Sequence, residues 1–136
     1  MDLMKSILVS SSALTAQSDR MKVISENLAN ADSTSQVPGG DPYRRKIVTF
    51  QDKLDRSLGV DRVTVGRTAY DNSPFQLHYD PGNPGADQNG YVKLPNVNVL
   101  IEMADMREAQ RSYEANLSAI DAAKSMTMQT IGLLKA

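Results

Sequence analysis

The chain has 136 residues, with 15 basic and 16 acidic side chains, a formal net charge of −1 and no cysteine. That length fits one domain, or one small domain with a helical stalk. The near-zero charge provides no field that would attract nucleic acid or a membrane surface. The lack of cysteine excludes disulfides, thiolate catalysis and cysteine-ligated zinc.

The sequence carries no obvious targeting segment. No stretch approaches the ~20 apolar residues of a membrane span. Ser10, Ser11 and Ser12 interrupt the apolar region that a cleavable signal would need. Composition alone favours the cytoplasm, although an export route that reads an uncleaved N-terminus leaves the same trace.

The N-terminal segment, residues 1–31, has the pattern of a helix with a narrow seam. Two lines of residues recur every seven positions and lie three or four residues apart: Ile7, Leu14, Met21 and Leu28 on one, and Leu3, Ser10, Gln17 and Ile24 on the other. Such lines are the a and d positions of a coiled coil. Asn27 and Asn30 stand near the end, where asparagine can take the left-handed conformation that terminates helices.

The C-terminal segment repeats the pattern. One line comprises Met106, Tyr113, Ile120 and Leu134, broken by Thr127, and the other comprises Met103, Leu117 and Ile131, broken by Gln110 and Lys124. The two helices would be roughly 40 and 55 Å long at 1.5 Å per residue. A globule of this size has a diameter under ~40 Å. We therefore expect the helices to form a projecting hairpin or to pack into neighbouring subunits.

The middle of the chain changes to a period of two, which predicts strands at 43–50, 63–70, 75–79 and 91–94; residues 51–58 are ambiguous and could form a helical turn. Residues 32–42 and 80–90 are loops by composition. Six of the seven aromatic residues lie between Tyr43 and Tyr91, which predicts a core of its own. The expected fold is α+β: a coiled-coil domain of residues 1–31 plus 98–136, and a small β-rich middle segment, 32–97.

No constellation of residues points to chemistry. His78 is the only histidine and is expected to be structural. Asp80, Asn83, Asp87 and Asn89 fail the spacing of a calcium loop and predict a tight turn. Arg44, Arg45 and Lys46 would split across both faces of a strand. Arg107 and Arg111 lie among Glu102, Asp105, Glu108 and Glu114, as on a solvated helix face. We expect no enzyme activity, catalytic residue, metal, cofactor or nucleic-acid partner.

Several segments resemble the axial proteins of the bacterial flagellum. Ser12–Gln17, followed by Asn27-Leu28-Ala29-Asn30-Ala31-Asp32-Ser33, resembles the N-terminal signature of flagellar rod and hook proteins. Pro42-Tyr43-Arg44-Arg45, residues 80–97 and residues 111–116 resemble segments of the rod members, and Asn98 stands where aspartate is expected. The signature residues are Asn27, Leu28, Ala29, Asn30, Pro42, Tyr43, Arg44, Pro81, Gly82, Asn83, Pro84, Asn89, Gly90, Tyr91, Pro95 and Asn96.

The resemblance implies a structural subunit of the basal-body rod, the drive shaft that crosses the periplasm. It implies export without signal cleavage, helical assembly around the export channel and no insertion into the membrane. The expected partners are other rod proteins, copies of the chain itself, and membrane-ring and export-apparatus components. The assembly interface would comprise Leu3, Ile7, Leu14, Met21, Ile24, Leu28, Met103, Met106, Tyr113, Leu117, Ile120, Ile131 and Leu134. The alternative is a soluble coiled-coil adaptor that binds a cytoplasmic partner.

Overall fold

The computed structural model describes residues 3–56 and 59–135. Along this part of the chain, a long helix is followed by six short strands and a second long helix. The elements are α1 (Leu3–Ala29), β1 (Lys46–Ile47), β2 (Phe50–Asp55), β3 (Val60–Val65), β4 (Ala69–Tyr70), β5 (Gln76–Tyr79), β6 (Tyr91–Leu94) and α2 (Val99–Lys135). The α+β class and both terminal helices are confirmed. Residues 1, 2 and 136 of the predicted helical domain, and 57 and 58 of the ambiguous stretch, lie outside the described residues. No helix among the described residues is long and apolar enough to span a membrane.

The strands form three antiparallel pairs rather than one sheet. Within the described residues β1 pairs with β4, β2 with β3, and β5 with β6. The registers begin at Lys46 opposite Tyr70, Phe50 opposite Val65, and Gln76 opposite Leu94. The ambiguous stretch is therefore the strand β2 as far as Asp55, and the helical turn considered there was wrong. Two-stranded sheets have little stability of their own, so each pair depends on what it packs against.

The chain divides into two units, each with parts of both helices. The first comprises Met1–Met21, Thr49–Arg67 and Arg107–Ala136, and the second comprises Lys22–Val48, Thr68–Met106. In the first unit, the β2–β3 hairpin meets α1 where the Val63 backbone N–H donates to Ser12 Oγ at 3.3 Å. Arg20 Nη2 lies 3.4 Å from Glu108 Oε2, which joins α1 to α2. In the second unit, α1 and α2 meet where Asn27 Nδ2 donates to Glu102 Oε2 at 3.1 Å.

Side chains cap the start of α2 and the end of α1. Asn98 Oδ1 accepts the backbone N–H groups of Leu100 and Ile101 at 3.1 and 3.3 Å, so Asn98 is the N-cap of α2. At the end of α1, Asn30 Nδ2 donates to the backbone oxygen of Glu26 at 2.8 Å. The described residues other than glycine all have negative φ, so the left-handed asparagine expected there was wrong.

The buried side chains of the described residues are mostly small or polar, not aromatic. Within the described residues, the buried apolar side chains are Ala16, Ile24, Ala31, Val92, Pro95, Ala109 and Ala123, and the buried polar ones are Ser10, Asn27 and Glu102. Tyr70, Tyr79 and Tyr91 are 59, 62 and 43% exposed. The prediction that the aromatic middle has its own core was therefore wrong, because two-stranded sheets leave at least one face of each strand open to solvent.

The residue that occupies the tightest position on α2 gives a direct test of this packing. Ala109 is completely buried, whereas its neighbour Gln110 is exposed. Ala109→Leu inserts three carbon atoms where there is no space, and overpacking of this kind costs about 1–3 kcal/mol. Thermal unfolding followed by circular dichroism should show the loss. Gln110→Leu is the matched control and should change stability by less than about 0.5 kcal/mol. Equal effects of the two substitutions would contradict the burial of the Ala109 face.

Candidate functional site

The most highly connected polar residues of the described chain lie in the second unit, and we call them the polar clasp: Asn27, Tyr43, Arg45, Asn96 and Glu102. They come from α1, from the segment that leads into β1, from the segment after β6 and from α2. No group of three or more acidic or histidine side chains in residues 3–56 and 59–135 is arranged to hold a metal ion. The bonds of the clasp show how the two helices of the second unit are held to the strands.

Asn27 is the centre of the clasp. It is 1% exposed. Its Nδ2 donates to the backbone oxygen of Lys46 at 2.9 Å and to Glu102 Oε2 at 3.1 Å. Its Oδ1 accepts the Lys46 backbone N–H at 3.0 Å and the Tyr43 hydroxyl at 2.9 Å. A side-chain amide has two donor hydrogens and two acceptor lone pairs, so every hydrogen-bonding position is used. Because one residue supplies both the N–H and the C=O, the orientation of the amide is fixed.

Glu102 supplies the negative charge of the clasp. It is 1% exposed, and its Oε1 accepts a hydrogen bond from Arg45 Nε at 2.6 Å. Burial opposes the charge of Arg45, but the hydrogen bond and the negative charge of Glu102 outweigh it, so the pKa of Arg45 is raised. The expectation that Glu102 belongs to a solvated helix face was wrong. A buried carboxylate needs this partner, which lies 57 residues away in sequence.

A second layer of bonds holds Arg45 in place. Its backbone N–H donates to Asn96 Oδ1 at 2.8 Å, and Asn96 Nδ2 donates to the backbone oxygen of Asp71 at 3.0 Å. The Asp71 carboxylate lies 3.5 Å from Arg45 Nη1 and accepts the Ser73 backbone N–H at 2.8 Å. The bonds from Ser73, then the charge of Arg45, lower the pKa of Asp71 below its ordinary value of 3.8. Arg44 binds the same segment: its Nη1 donates to the backbone oxygen of Asp71 at 3.0 Å, and its guanidinium lies 4.3 Å from the centre of the Phe75 ring.

The loop after β5 is a tight turn, as its spacing predicted. Asp87 Oδ1 accepts the backbone N–H groups of Asn89 and Tyr91 at 2.8 and 2.9 Å. Asn83 Oδ1 accepts the N–H of Gly85 at 3.0 Å. Gly85 is buried, and a side chain there would collide with the backbone oxygen of Ser35. Asn83 and Asp87, two of the four side chains that raised the calcium interpretation, are therefore occupied in closing the turn.

The remaining signature residues are placed as follows. Ala29, Pro81, Gly82, Pro84, Asn89 and Tyr91 are exposed, Leu28, Asn30, Pro42, Asn83 and Gly90 are half-buried, and Pro95 is buried. His78 is exposed on β5 and belongs to neither the clasp nor the turn. The signature thus includes residues of the clasp and of the turn, residues that face solvent, and the buried Pro95.

The two predicted lines of α2 have different environments. Met106, Tyr113 and Ile120 are half-buried. Met103, Leu117 and Ile131 are 47, 45 and 46% exposed; we call these three the outward stripe. The last residue of the first line, Leu134, is 83% exposed.

A third line of α2 went unnoticed in the sequence. Glu102, Ala109 and Ala123 are buried and Asn116 is half-buried, at seven-residue spacing. Alanine and polar side chains give no hydrophobic signal, so only the seven-residue spacing of this line could have revealed it in the sequence. On α1 the predicted residues are all covered to some degree: Ile24 is buried, and Leu3, Ile7, Leu14, Met21 and Leu28 are half-buried.

A groove lies where the start of α1 meets the end of α2 in the first unit. Its volume is about 470 Å³. It is lined by Leu3, Met4, Ile7, Thr127, Met128 and Ile131. Ile131 thus belongs both to the groove and to the outward stripe, so the apolar surface of α2 is continuous with the groove at this end of the helix.

Comparisons with known proteins give a consistent result. A family model described as flagella basal body rod protein matches residues 7–35, and one described as flagellar basal body rod FlgEFG protein C-terminal matches residues 88–133. Flagellar basal-body rod protein FlgC of Agrobacterium fabrum is 57% identical over 128 residues, which cover 94% of this chain and 92% of the relative. The protein of the same name from Salmonella typhimurium is 46% identical over 92% of each chain. That from Bacillus subtilis is 43% identical over 96% of this chain and 97% of the relative.

Removing the clasp carboxylate should destabilise the chain. Glu102→Ala removes the partner of Arg45 Nε and of one Asn27 donor, and it leaves the Arg45 guanidinium only the longer pairs with Asp71 and Asp105, at 3.5 and 3.8 Å. Breaking a buried pair costs about 3–5 kcal/mol, and Arg45 is 23% exposed, so we expect the lower end of that range. Urea unfolding measures the change. Glu108→Ala is the matched control, because its carboxylate is 70% exposed and an exposed pair contributes at most about 1 kcal/mol. A loss from Glu102→Ala no larger than the control would contradict the clasp.

The clasp should also respond to acid through Asp71. Because the folded chain lowers the pKa of Asp71, the unfolded chain takes up the proton first as the pH falls. The stabilisation is complete above the ordinary value of 3.8 and is lost as the pH falls through the lower pKa of the folded state. Asp71→Asn should therefore flatten the fall in unfolding free energy below pH 3.8. A partial slope should remain, because Lys46 and Lys93 lower the pKa values of Glu26 and Asp41. An unchanged slope in Asp71→Asn would contradict this role.

Proposed function

This chain belongs to the family of flagellar basal-body rod proteins FlgC, and from that premise we propose how its surfaces build the rod. The family resemblance predicted from the sequence is confirmed by the relatives. The chain is a structural subunit of the flagellar basal-body rod and not an enzyme. It assembles with other flagellar rod components and with copies of itself. The alternative of a cytoplasmic adaptor has no support among the relatives.

The outward stripe of α2 is the contact that we propose for assembly. Met103, Leu117 and Ile131 are each nearly half exposed although they recur at heptad spacing. Heptad positions that face solvent in one chain become buried when another helix packs on them. A surface that meets a different surface on the next subunit makes a head-to-tail contact, and such contacts generate open helical assemblies. The predicted seam residues of α1 would complete the helical layer from the inside.

The helical segments 1–31 and 98–136 would then form the inner, coiled-coil layer of the rod around the export channel, and residues 32–97 its outer projection. Three features of the middle segment support the second assignment. Its strands form separate two-stranded pairs, the pairs have unpaired edges among the described residues, and β5 is exposed along its whole length. Open edges of this kind are sites where a neighbouring chain can add. Such a tube would transmit torque along its axis as the drive shaft.

The location that follows is the periplasmic part of the rod. We propose that the chain reaches it through the flagellar export apparatus without cleavage of a signal, and that components of the membrane ring and of the export apparatus are its neighbours at the rod base. The marginal stability expected of short two-stranded sheets supports transport as an unfolded chain, because little free energy opposes unfolding before export.

A charge on the outward stripe tests the proposal. Leu117→Asp places a carboxylate at a contact that assembly would bury, which costs several kcal/mol, but the side chain is 45% exposed in the single subunit. The strain should lose motility and hook-bearing basal bodies while the subunit is still found outside the cytoplasm. Isolated Leu117→Asp should unfold within about 0.5 kcal/mol of the wild type.

Ser118→Asp is the matched control, because the next residue of an α-helix lies about 100° further around its axis. This strain should swim. A swimming Leu117→Asp strain would show that the stripe stays in solvent in the rod. A strain that lacks the export gate serves as the reference for retention. In that strain both the wild-type chain and Leu117→Asp should stay inside the cell. A wild-type chain that leaves the cytoplasm of that strain would contradict the export route.

A further inference from the structure

The turn between β5 and β6 contains a sequence with its own chemistry. Asn89 is the only asparagine of the chain that is followed by glycine. It is exposed, and no hydrogen bond of its carboxamide is found within residues 3–56 and 59–135. We propose that Asn89–Gly90 is a deamidation site that Asp87 holds closed in the folded chain and that opens when the chain unfolds. This inference does not depend on the function proposed for the rod.

The reaction needs only water. The backbone nitrogen of Gly90, after losing its proton, attacks the side-chain carbonyl carbon Cγ of Asn89. A C–N bond forms, the bond from Cγ to the side-chain nitrogen breaks, and ammonia leaves with a proton from solvent. The resulting five-membered succinimide is opened by one water molecule, which leaves either aspartate or isoaspartate at position 89. Glycine favours the attack because it has no side chain to shield its nitrogen.

The folded turn opposes the first step in two ways. The Gly90 N–H donates to the backbone oxygen of Asp87 at 3.0 Å, so the nitrogen must break this bond before it can attack. The Asp87 carboxylate accepts the N–H groups on either side, those of Asn89 and Tyr91, at 2.8 and 2.9 Å. A negative charge so close disfavours loss of the Gly90 proton, because the product would be a second anion.

The backbone around Gly90 is held from both sides as well. Its φ is +81°, and a Cβ there would lie 2.9 Å from a carbon of the Tyr79 ring. The Gly90 oxygen accepts the Asp80 N–H at 3.0 Å, and Tyr79 pairs with Tyr91 in the β5–β6 ladder. The peptide plane therefore cannot turn toward the Asn89 side chain unless the turn opens.

The product would not fit the turn that suppressed it. Isoaspartate adds a carbon to the backbone between the two N–H groups that share the Asp87 oxygen, so both bonds cannot persist. Either product also places a new carboxylate two residues from Asp87. A chain that has stayed unfolded long enough to react would thus carry a permanent mark and a weakened β5–β6 turn.

The test compares one full-length chain in two states. Wild-type protein is incubated at mildly alkaline pH, folded in buffer or unfolded in urea, and isoaspartate is measured by methyltransferase labelling and located by peptide mass spectrometry. We expect the folded chain to react at Asn89 at least about tenfold more slowly than the unfolded one, and both rates to rise with pH. Equal rates in the two states would overturn the proposal.

Variants identify Asp87 as the positioning residue. Asp87→Ala should bring the rate under folding conditions close to the rate in urea, and Asp87→Asn, which keeps an oxygen acceptor but no charge, should lie between. Asn89→Gln should abolish the signal at this position and so proves its source. An Asp87→Ala chain that is folded by circular dichroism and reacts no faster than the wild type would overturn the role of Asp87. If Asp87→Ala does not fold, Asp87→Asn and the folded-against-unfolded comparison decide.

Discussion

The side chain of Asn27 fixes how the helices of the second unit meet the strands. The Asn27 amide uses both hydrogens and both lone pairs. Three of its four hydrogen bonds are with Tyr43 and Lys46, in the segment 43–46. The fourth is with Glu102 on α2. A buried amide with a lost partner incurs a desolvation cost of about 1–3 kcal/mol, so any shift of one element relative to the others is penalised. The positions of Tyr43 and Lys46 against α1 therefore depend on this one residue.

Glu102 extends that constraint to charge. Its carboxylate is buried and joined to Asn27 and Arg45, and the backbone of Arg45 is in turn held by Asn96. Buried ion pairs contribute little net stability, because the cost of removing both charges from water offsets their attraction. Their effect is on alternatives: a helix rotated so that Glu102 lost Arg45 would carry an uncompensated buried charge. The clasp therefore favours one arrangement of the helices and strands over others and adds little to the net free energy of unfolding.

Much of the fold could be predicted because it rests on local patterns. The heptad lines predicted α1 and α2 to within a few residues, and alternation gave β6 with the bounds that the structure has. The clasp itself could not be found this way. Arg45 and Glu102 meet across 57 residues, and nothing local marks either as buried. The signature residues Asn27, Tyr43 and Asn96 were noticed only as a resemblance, and their bonds supply the physical reason for that pattern. The aromatic residues misled because hydrophobicity predicts a core only where a second layer exists to cover the strands.

The same geometry decides which apolar line of α2 stays exposed in the single chain. The line that faces inward contains Glu102, Ala109 and Ala123, whose small or paired side chains let the helix approach closely. The line read from the sequence as half of a seam, Met103, Leu117 and Ile131, is left outside. Rotating α2 by about 100°, one residue's turn of the helix, would replace the inward line by the one that contains Met103, Leu117 and Ile131 but also Gln110 and Lys124. The pairing of Glu102 with Asn27 and Arg45 opposes such a rotation, because it would take the carboxylate away from both partners. The polar clasp thus keeps the larger apolar side chains of this line unburied in the single chain, as the contact proposed between subunits requires.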